Sequence, residues 1–201
     1  MMRYAADEKL DMVIIAGDLF DGSFIFPETK ELCIKLFEDF GAPVIIAPGN
    51  HDPFSTSSFY TTARLPENVR VFTSQTVEQI DFPELHTTVA GYAFTSAALP
   101  VSPLASAGPA PHEDIYILCA HADLDAPTSR YAPLTTSDIQ RYGFNYAALG
   151  HVHNVPSTPD HIRYCGFPEG RSFDELGDGG AYIIDVDREC GVQEIARIPL
   201  S

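Results

Sequence analysis

The chain has 201 residues, 45% of them hydrophobic, a formal net charge of −16 and no tryptophan. A chain of this length buries roughly 70% of its unfolded surface, so disorder and collagen-like structure are excluded and a single domain over residues 1–201 is expected. No apolar run approaches the roughly 20 residues that span a bilayer, and the polar opening MMRYAADEKL has no signal-peptide core, which points to the cytoplasm. The acidity excludes a nonspecific nucleic-acid binder, because such proteins carry basic patches that displace counterions from phosphates. A polyanionic ligand would need local positive charge, which carboxylates and histidines can supply by holding divalent cations. Cys33, Cys119, Cys165 and Cys190 contain no C-x-x-C pair and read as reduced, mostly buried thiols rather than a disulfide framework or zinc ribbon.

Taken in chain order, short apolar runs bounded by turn formers predict buried strands. The first is Met12–Ala16. Leu32, Cys33, Leu36, Phe37 and Phe40 then recur at helical spacing, with Glu28 and Glu31 favouring the start and Gly41 and Pro43 the stop. Val44–Ala47 is the second strand. Val69–Phe72, Val77–Phe82 and Thr87–Tyr92 suggest a meander, and the Ala, Ser and Pro-rich stretch 97–111 a surface loop. Ile115–Ala120, a helix at Thr136–Arg141 and Tyr146–Leu149 follow, and Ala181–Val186 with Val192–Ile198 predicts a terminal hairpin. The strongest strands are apolar throughout, without polar alternation, as in a mainly parallel sheet covered on both faces by helices.

Each of the four strongest strands is followed at once by residue types that ligate metals: GDLFD at 17–21, GNHD at 49–52, HAD at 121–123 and GHVH at 150–153. In parallel α/β folds ligands gather outside the carboxyl ends of strands, so four such ends can converge on one site. Neutral imidazoles combined with Asp and Asn oxygens suit manganese, iron or zinc better than calcium or magnesium. Taken one at a time, Asp18 could be a turn residue, Asn50 a left-handed turn residue, His51 or His121 a satisfied buried histidine and Asp21 a helix cap. Asp52 and Asp123 read as caps or groups orienting the ligands. His151 and His153 would point oppositely in a regular strand, so a loop after Leu149 has to bring both inward. His86, His112 and His161 read as surface residues, and Arg171, beside Asp174 and Glu175, as a surface ion pair rather than a phosphate contact.

These four motifs, in this order, resemble those of the calcineurin-like metallophosphoesterases, whose pattern is Asp-x-His, Gly-Asp-x-x-Asp, Gly-Asn-His-Asp or Glu, a lone His and Gly-His-x-His. The resemblance runs from about Leu10 to Asp187. It is nearest to the SbcD-type DNA-repair nucleases, which share GDLFD and a late segment similar to EGRSFDELGDGG at 169–180. It implies an α/β fold, a metallophosphoesterase-type β-sandwich flanked by helices. Asp18 would bridge two metals, Asn50, His121 and His151 would complete one shell, and His153 would bind the other ion. His51 would be the proton donor to the leaving oxygen, with Asp21 orienting its imidazole. Two cations roughly 4 Å apart would activate water and clamp the oxygens of an in-line displacement at phosphorus.

No Asp-x-His occurs in the chain, and only 17 residues precede Asp18, whereas a strand-helix-strand unit takes roughly 30 or more. The expectation is an N-terminal strand that is missing, residues 1–10 as the end of the helix after it, and an upstream reading frame that encodes an apolar strand ending in Asp-x-His. One tight ion is expected here against two in a complete chain, together with an exposed edge or slot that invites self-association. The end at Ser201 is expected to leave out capping and partner-docking segments. The leading reading is a metal-dependent phosphodiesterase, like a DNA exonuclease, with a phosphoester substrate and, by resemblance only, a coiled-coil ATPase partner. A catalytically impaired domain acting as a binding module, and a phosphomonoesterase, stay open beside it.

Overall fold

Val13–Ile15 (β1), Val44–Ile46 (β2) and Val69–Val71 (β3) form a parallel sheet in that order. Val44, Ile45 and Ile46 are wholly excluded from solvent, the burial on both faces that their unbroken hydrophobicity predicts. The computed structural model describes residues 1–22, 24–108, 110, 115–154, 156–168, 170, 179–189 and 191–199.

Between β1 and β2 runs helix α2, Pro27–Phe40. Pro27 opens it, where a missing N–H costs nothing, and Gly41 closes it at φ 74°, a backbone angle that glycine adopts without strain. Helix α1, Met2–Asp7, buries Met2 and Ala5 in the same apolar cluster as β1, β2 and Phe37 of α2. The meander expected to start at Val69 is corrected by β3, which pairs parallel to β2 through Val44↔Val69. The connection from β2, carrying helix α3 at Phe59–Thr62, is long enough to bring the chain back to the same end.

The second sheet has the order β4 (Glu78–Phe82), β5 (Thr87–Gly91), β6 (Ile115–His121), β7 (Tyr146–Gly150) and β8 (Ile162–Tyr164). Only β4 is antiparallel; it turns into β5 through Pro83–Leu85 and His86. Helix α4, Thr136–Arg141, is capped by the Thr135 side chain, which accepts from the Asp138 N–H at 3.0 Å. β9 (Gly180–Asp187) and β10 (Gly191–Pro199) form the predicted hairpin.

Three apolar layers hold these sheets. Ala16, Ile45 and Ala47 of the first sheet and its strand ends meet Val89, Ile117, Cys119 and Tyr146 of the second, which is the sandwich core. The outer face of the first sheet is covered by α1, α2 and α3, and that of the second by α4 and the stretch that the sequence suggests is a surface loop. Its described residues correct that expectation in part: Leu99 and Leu104 are 6% and 1% exposed within this outer cluster. Of the cysteines, Cys119 is buried, Cys33 half-buried and Cys165 exposed, all as free thiols, while Cys190 lies outside the described residues.

A cavity of about 810 Å³ separates β1 from β9. Consecutive residues of both strands line it, Met12–Asp18 on one side and Gly180–Val186 on the other, whereas β10 contributes Ile198 alone. Strands that present every residue, rather than alternate ones, face the cavity edge-on. Among the described residues both are edge strands, β1 paired with β2 and β9 with β10. The slot opens at one end onto Asp18, His121, His151 and His153. Among the described residues no helix is long and apolar enough to cross a membrane.

Candidate metal centre

Asp18 and Asp21 follow β1, Asn50 and His51 follow β2, His121 ends β6 and His151 follows β7. The two sheets stack with these four carboxyl ends together, as parallel topology favours. Close approach of the loops depends on glycine. A Cβ at Gly49 would overlap the Asp18 side chain, and one at Gly150 would overlap the Ala16 carbonyl. Asp18 and His151 both hold left-handed backbone angles, φ 50° and 97°, a conformation that costs a non-glycine residue about 1–3 kcal/mol. At His151 this bend turns the side chain inward from the end of β7, as the alternation argument requires.

His121, 1% exposed, is the hub. Its Nδ1 lies 2.9 Å from the Ala16 carbonyl, which can only accept, so Nδ1 carries the proton and Nε2 presents its lone pair. Around Nε2 stand Asn50 Oδ1 at 2.9 Å, Asp18 Oδ2 at 3.2 Å and His151 Nδ1 at 3.2 Å. Burial works to raise the Asp18 pKa, but His121 in its doubly protonated form, donating from Nε2 and carrying charge, together with the His51 N–H 3.0 Å from Oδ1, brings it below the usual carboxylate value. Burial, and then the His121 charge, lowers that of His151. The His151 ring packs on Tyr131 at 4.6 Å, and its Nε2 is 3.6 Å from Asp123 Oδ1.

At the mouth, His51 Nδ1 is 3.1 Å from Asp21 Oδ1, both side chains more than half exposed. His153 lines the same cavity, its ring 6.2 Å from that of Phe167. Thus Asp18, Asn50, His121 and His151 come together, His51 and Asp21 form a pair, and His153 stands at the rim. Among the described residues no three His, Cys, Asp or Glu side chains are spaced as a ready chelate. The donor set of two imidazoles, one carboxylate and one amide oxygen nevertheless has the chemistry of a site for a borderline transition-metal dication. His86 is exposed and His161 half-buried; His112, Arg171 and most of 169–180 lie outside the described residues.

The sequence reading treats Asp52 only as a cap or orienting group and overlooks Tyr60 altogether. Asp52, 7% exposed, accepts from the Gly49 N–H at 2.9 Å, the Phe20 N–H at 3.0 Å and the Tyr60 hydroxyl at 2.5 Å. Only the placement of Asp52 inside GNHD could have hinted at this; nothing in the sequence marks Tyr60.

A profile of the calcineurin-like phosphoesterases matches residues 1–155. An uncharacterized metallophosphoesterase of Bacillus subtilis, YhaO, is 28% identical over 92% of this chain and 48% of its own length. The DNA double-strand break repair protein Mre11 of Saccharolobus solfataricus is 23% identical over 98% of this chain and 55% of its own length. The chain therefore spans about half the length of these curated relatives. With the profile covering most of its residues and all four loops that meet at His121, the chain belongs to the calcineurin-like phosphoesterases, a family of hydrolases that generally bind divalent metals.

Proposed function

We propose that this chain is a metal-dependent phosphodiesterase core that hydrolyses nucleic-acid-type diesters, with manganese as its preferred ion and the cytoplasm as its place of action. The observation that carries this reading is the convergence of three acceptor atoms on the His121 Nε2 lone pair beside the His51–Asp21 pair. In it Asp18, Asn50, His121 and His151 hold one ion, and His153 with Asp18 faces a second. Bound ions supply positive charge to the phosphoryl oxygens and acidity to a coordinated water. His51 donates a proton to the leaving oxygen, while Asp21 accepts from its Nδ1–H and fixes the ring's orientation. The Ala16 carbonyl keeps the His121 lone pair on the ion side, and the Asp123 carboxylate, 3.6 Å from His151 Nε2, favours the proton on that nitrogen by its charge.

DNA as substrate rests on the likeness to the repair protein Mre11, and a coiled-coil ATPase partner on the resemblance to SbcD-type nucleases. Self-association through the free edge of β1 is part of the same proposal. A second reading, a catalytically impaired binding module, draws on the lack of a ready chelate among the described residues.

Turnover of bis-p-nitrophenyl phosphate, p-nitrophenyl phosphate and single-stranded DNA in manganese separates these readings. Cleavage of the diester and of DNA is the expected result, with DNA cleavage falling at least about 100-fold in His51→Ala. Monoester turnover alone would point to a phosphomonoesterase, and no turnover at any metal concentration to a binding module.

A further inference from the structure

The Gly49–Asp52 turn, which carries Asn50 and His51, is closed on itself by the Asp52 Oδ1 contact with the Gly49 N–H. The other carboxylate oxygen does two things: it takes the N–H of Phe20, between Asp18 and Asp21, and it takes the Tyr60 hydroxyl. One side chain thus joins the loop of the proton donor to the loop of the residue that orients it. Tyr60 is 7% exposed on α3, and the same helix presents Phe59 edge-on to Phe20 with ring centres 5.0 Å apart. Helix α3 therefore grips the GDLFD loop through an apolar contact and the GNHD turn through a polar one. The His51 and Asp21 side chains are themselves more than half exposed and 3.1 Å apart, and the two loops that carry them are joined by the His51 N–H to Asp18 Oδ1 at 3.0 Å and, from below, by Asp52.

We propose that Tyr60 is a positioning residue for His51: through Asp52, its hydroxyl fixes the Gly49–Asp52 turn against the loop of Asp18 and Asp21, and so sets the imidazole over the leaving group. This rests on the reading of His51 as the proton donor. Phenylalanine at position 60 would keep the ring packing and leave Asp52 Oδ2 with the Phe20 N–H alone. Buried carboxylates do not forgo such a partner without shifting. The turn then loosens, and His51 loses alignment while the donors around His121 stay.

The test uses Tyr60→Phe, with Asp52→Asn as a second variant and His51→Ala as the reference. Two diesters separate proton donation from general damage: bis-p-nitrophenyl phosphate, whose leaving group departs without a proton, and diphenyl phosphate, whose leaving group needs one. Expected is a fall in kcat of about tenfold on diphenyl phosphate with KM unchanged, a fraction of what general-acid catalysis contributes, and less than about twofold on bis-p-nitrophenyl phosphate. An equal fall on both substrates would make Tyr60 merely structural and overturn the proposal.

A second readout does not depend on turnover. In 1H–13C spectra of histidine-labelled chain, the His51 ring signal, assigned by its loss in His51→Ala, is expected to move in both Tyr60→Phe and Asp52→Asn while the His86 signal stays. A His51 signal that does not move overturns the proposal even if activity changes. A chain that cleaves neither diester with any metal would remove the hydrolase reading, and the His51 signal would still decide whether Tyr60 positions that ring.

Discussion

At the scale of the residue, protonation and folding are linked through His151, Asp18 and Asp52. His151 has its pKa lowered below the usual value of 6.5, by burial and by His121 beside it. Its folded-state pKa lies under its unfolded one, so between the two the unfolded chain binds more protons and stability rises with pH. The contribution is fully present above about 6.5 and is lost as pH falls through the lowered value. Asp18, also lowered, follows the same sign in a more acidic window, below its usual value of 3.8. Asp52, raised chiefly by burial, has the opposite sign. In EDTA, the melting temperature is therefore expected to drop between pH 7 and 5, and to drop less in His151→Gln. Parallel curves for the two proteins in that range would show that His151 does not couple protonation to folding.

At the scale of the element, what is legible in the sequence and what is not separate cleanly. Val44–Ala47 and Ile115–Ala120 read as buried strands because both faces are covered, and unbroken apolar runs record that directly. The convergence of Asp18, Asn50, His121 and His151 was legible because each sits at the end of such a strand. Direction of pairing was not, since Val69–Val71 has the same composition whether it runs parallel or antiparallel. Tyr60 was invisible for a similar reason: a hydroxyl that reaches back across a loop has no spacing rule. The Ala, Ser and Pro-rich stretch hid Leu99 and Leu104, isolated anchors without periodicity. Leu104→Ala is expected to cost about 2–5 kcal/mol in urea unfolding, as for other buried leucines. A change below about 0.5 kcal/mol, typical of surface positions, would return that stretch to the status of a surface loop.

The whole molecule is organised so that its centre draws on both sheets, Asp18 and Asn50 from the first, His121 and His151 from the second. A ligand held by both sheets favours the folded state by mass action. Titration calorimetry with manganese is expected to give one tight ion per chain, and saturating manganese to raise the melting temperature by several degrees. Two equally tight ions would mean that His153 and Asp18 have a further partner. An unchanged melting temperature would mean that the centre does not tie the sheets together.

The slot beside β1 makes the four donors unequal in time. β2, β6 and β7, which lead to Asn50, His121 and His151, are each hydrogen-bonded to a strand on both sides, whereas among the described residues β1, which leads to Asp18, is bonded on one. Opening costs least where pairing is one-sided, so amides of β1 are expected to exchange with deuterium faster than those of β2 and β6. Of the four donors that a dication would meet, the Asp18 carboxylate would then be the least firmly placed, and the three on doubly paired strands would stay in position while it moves.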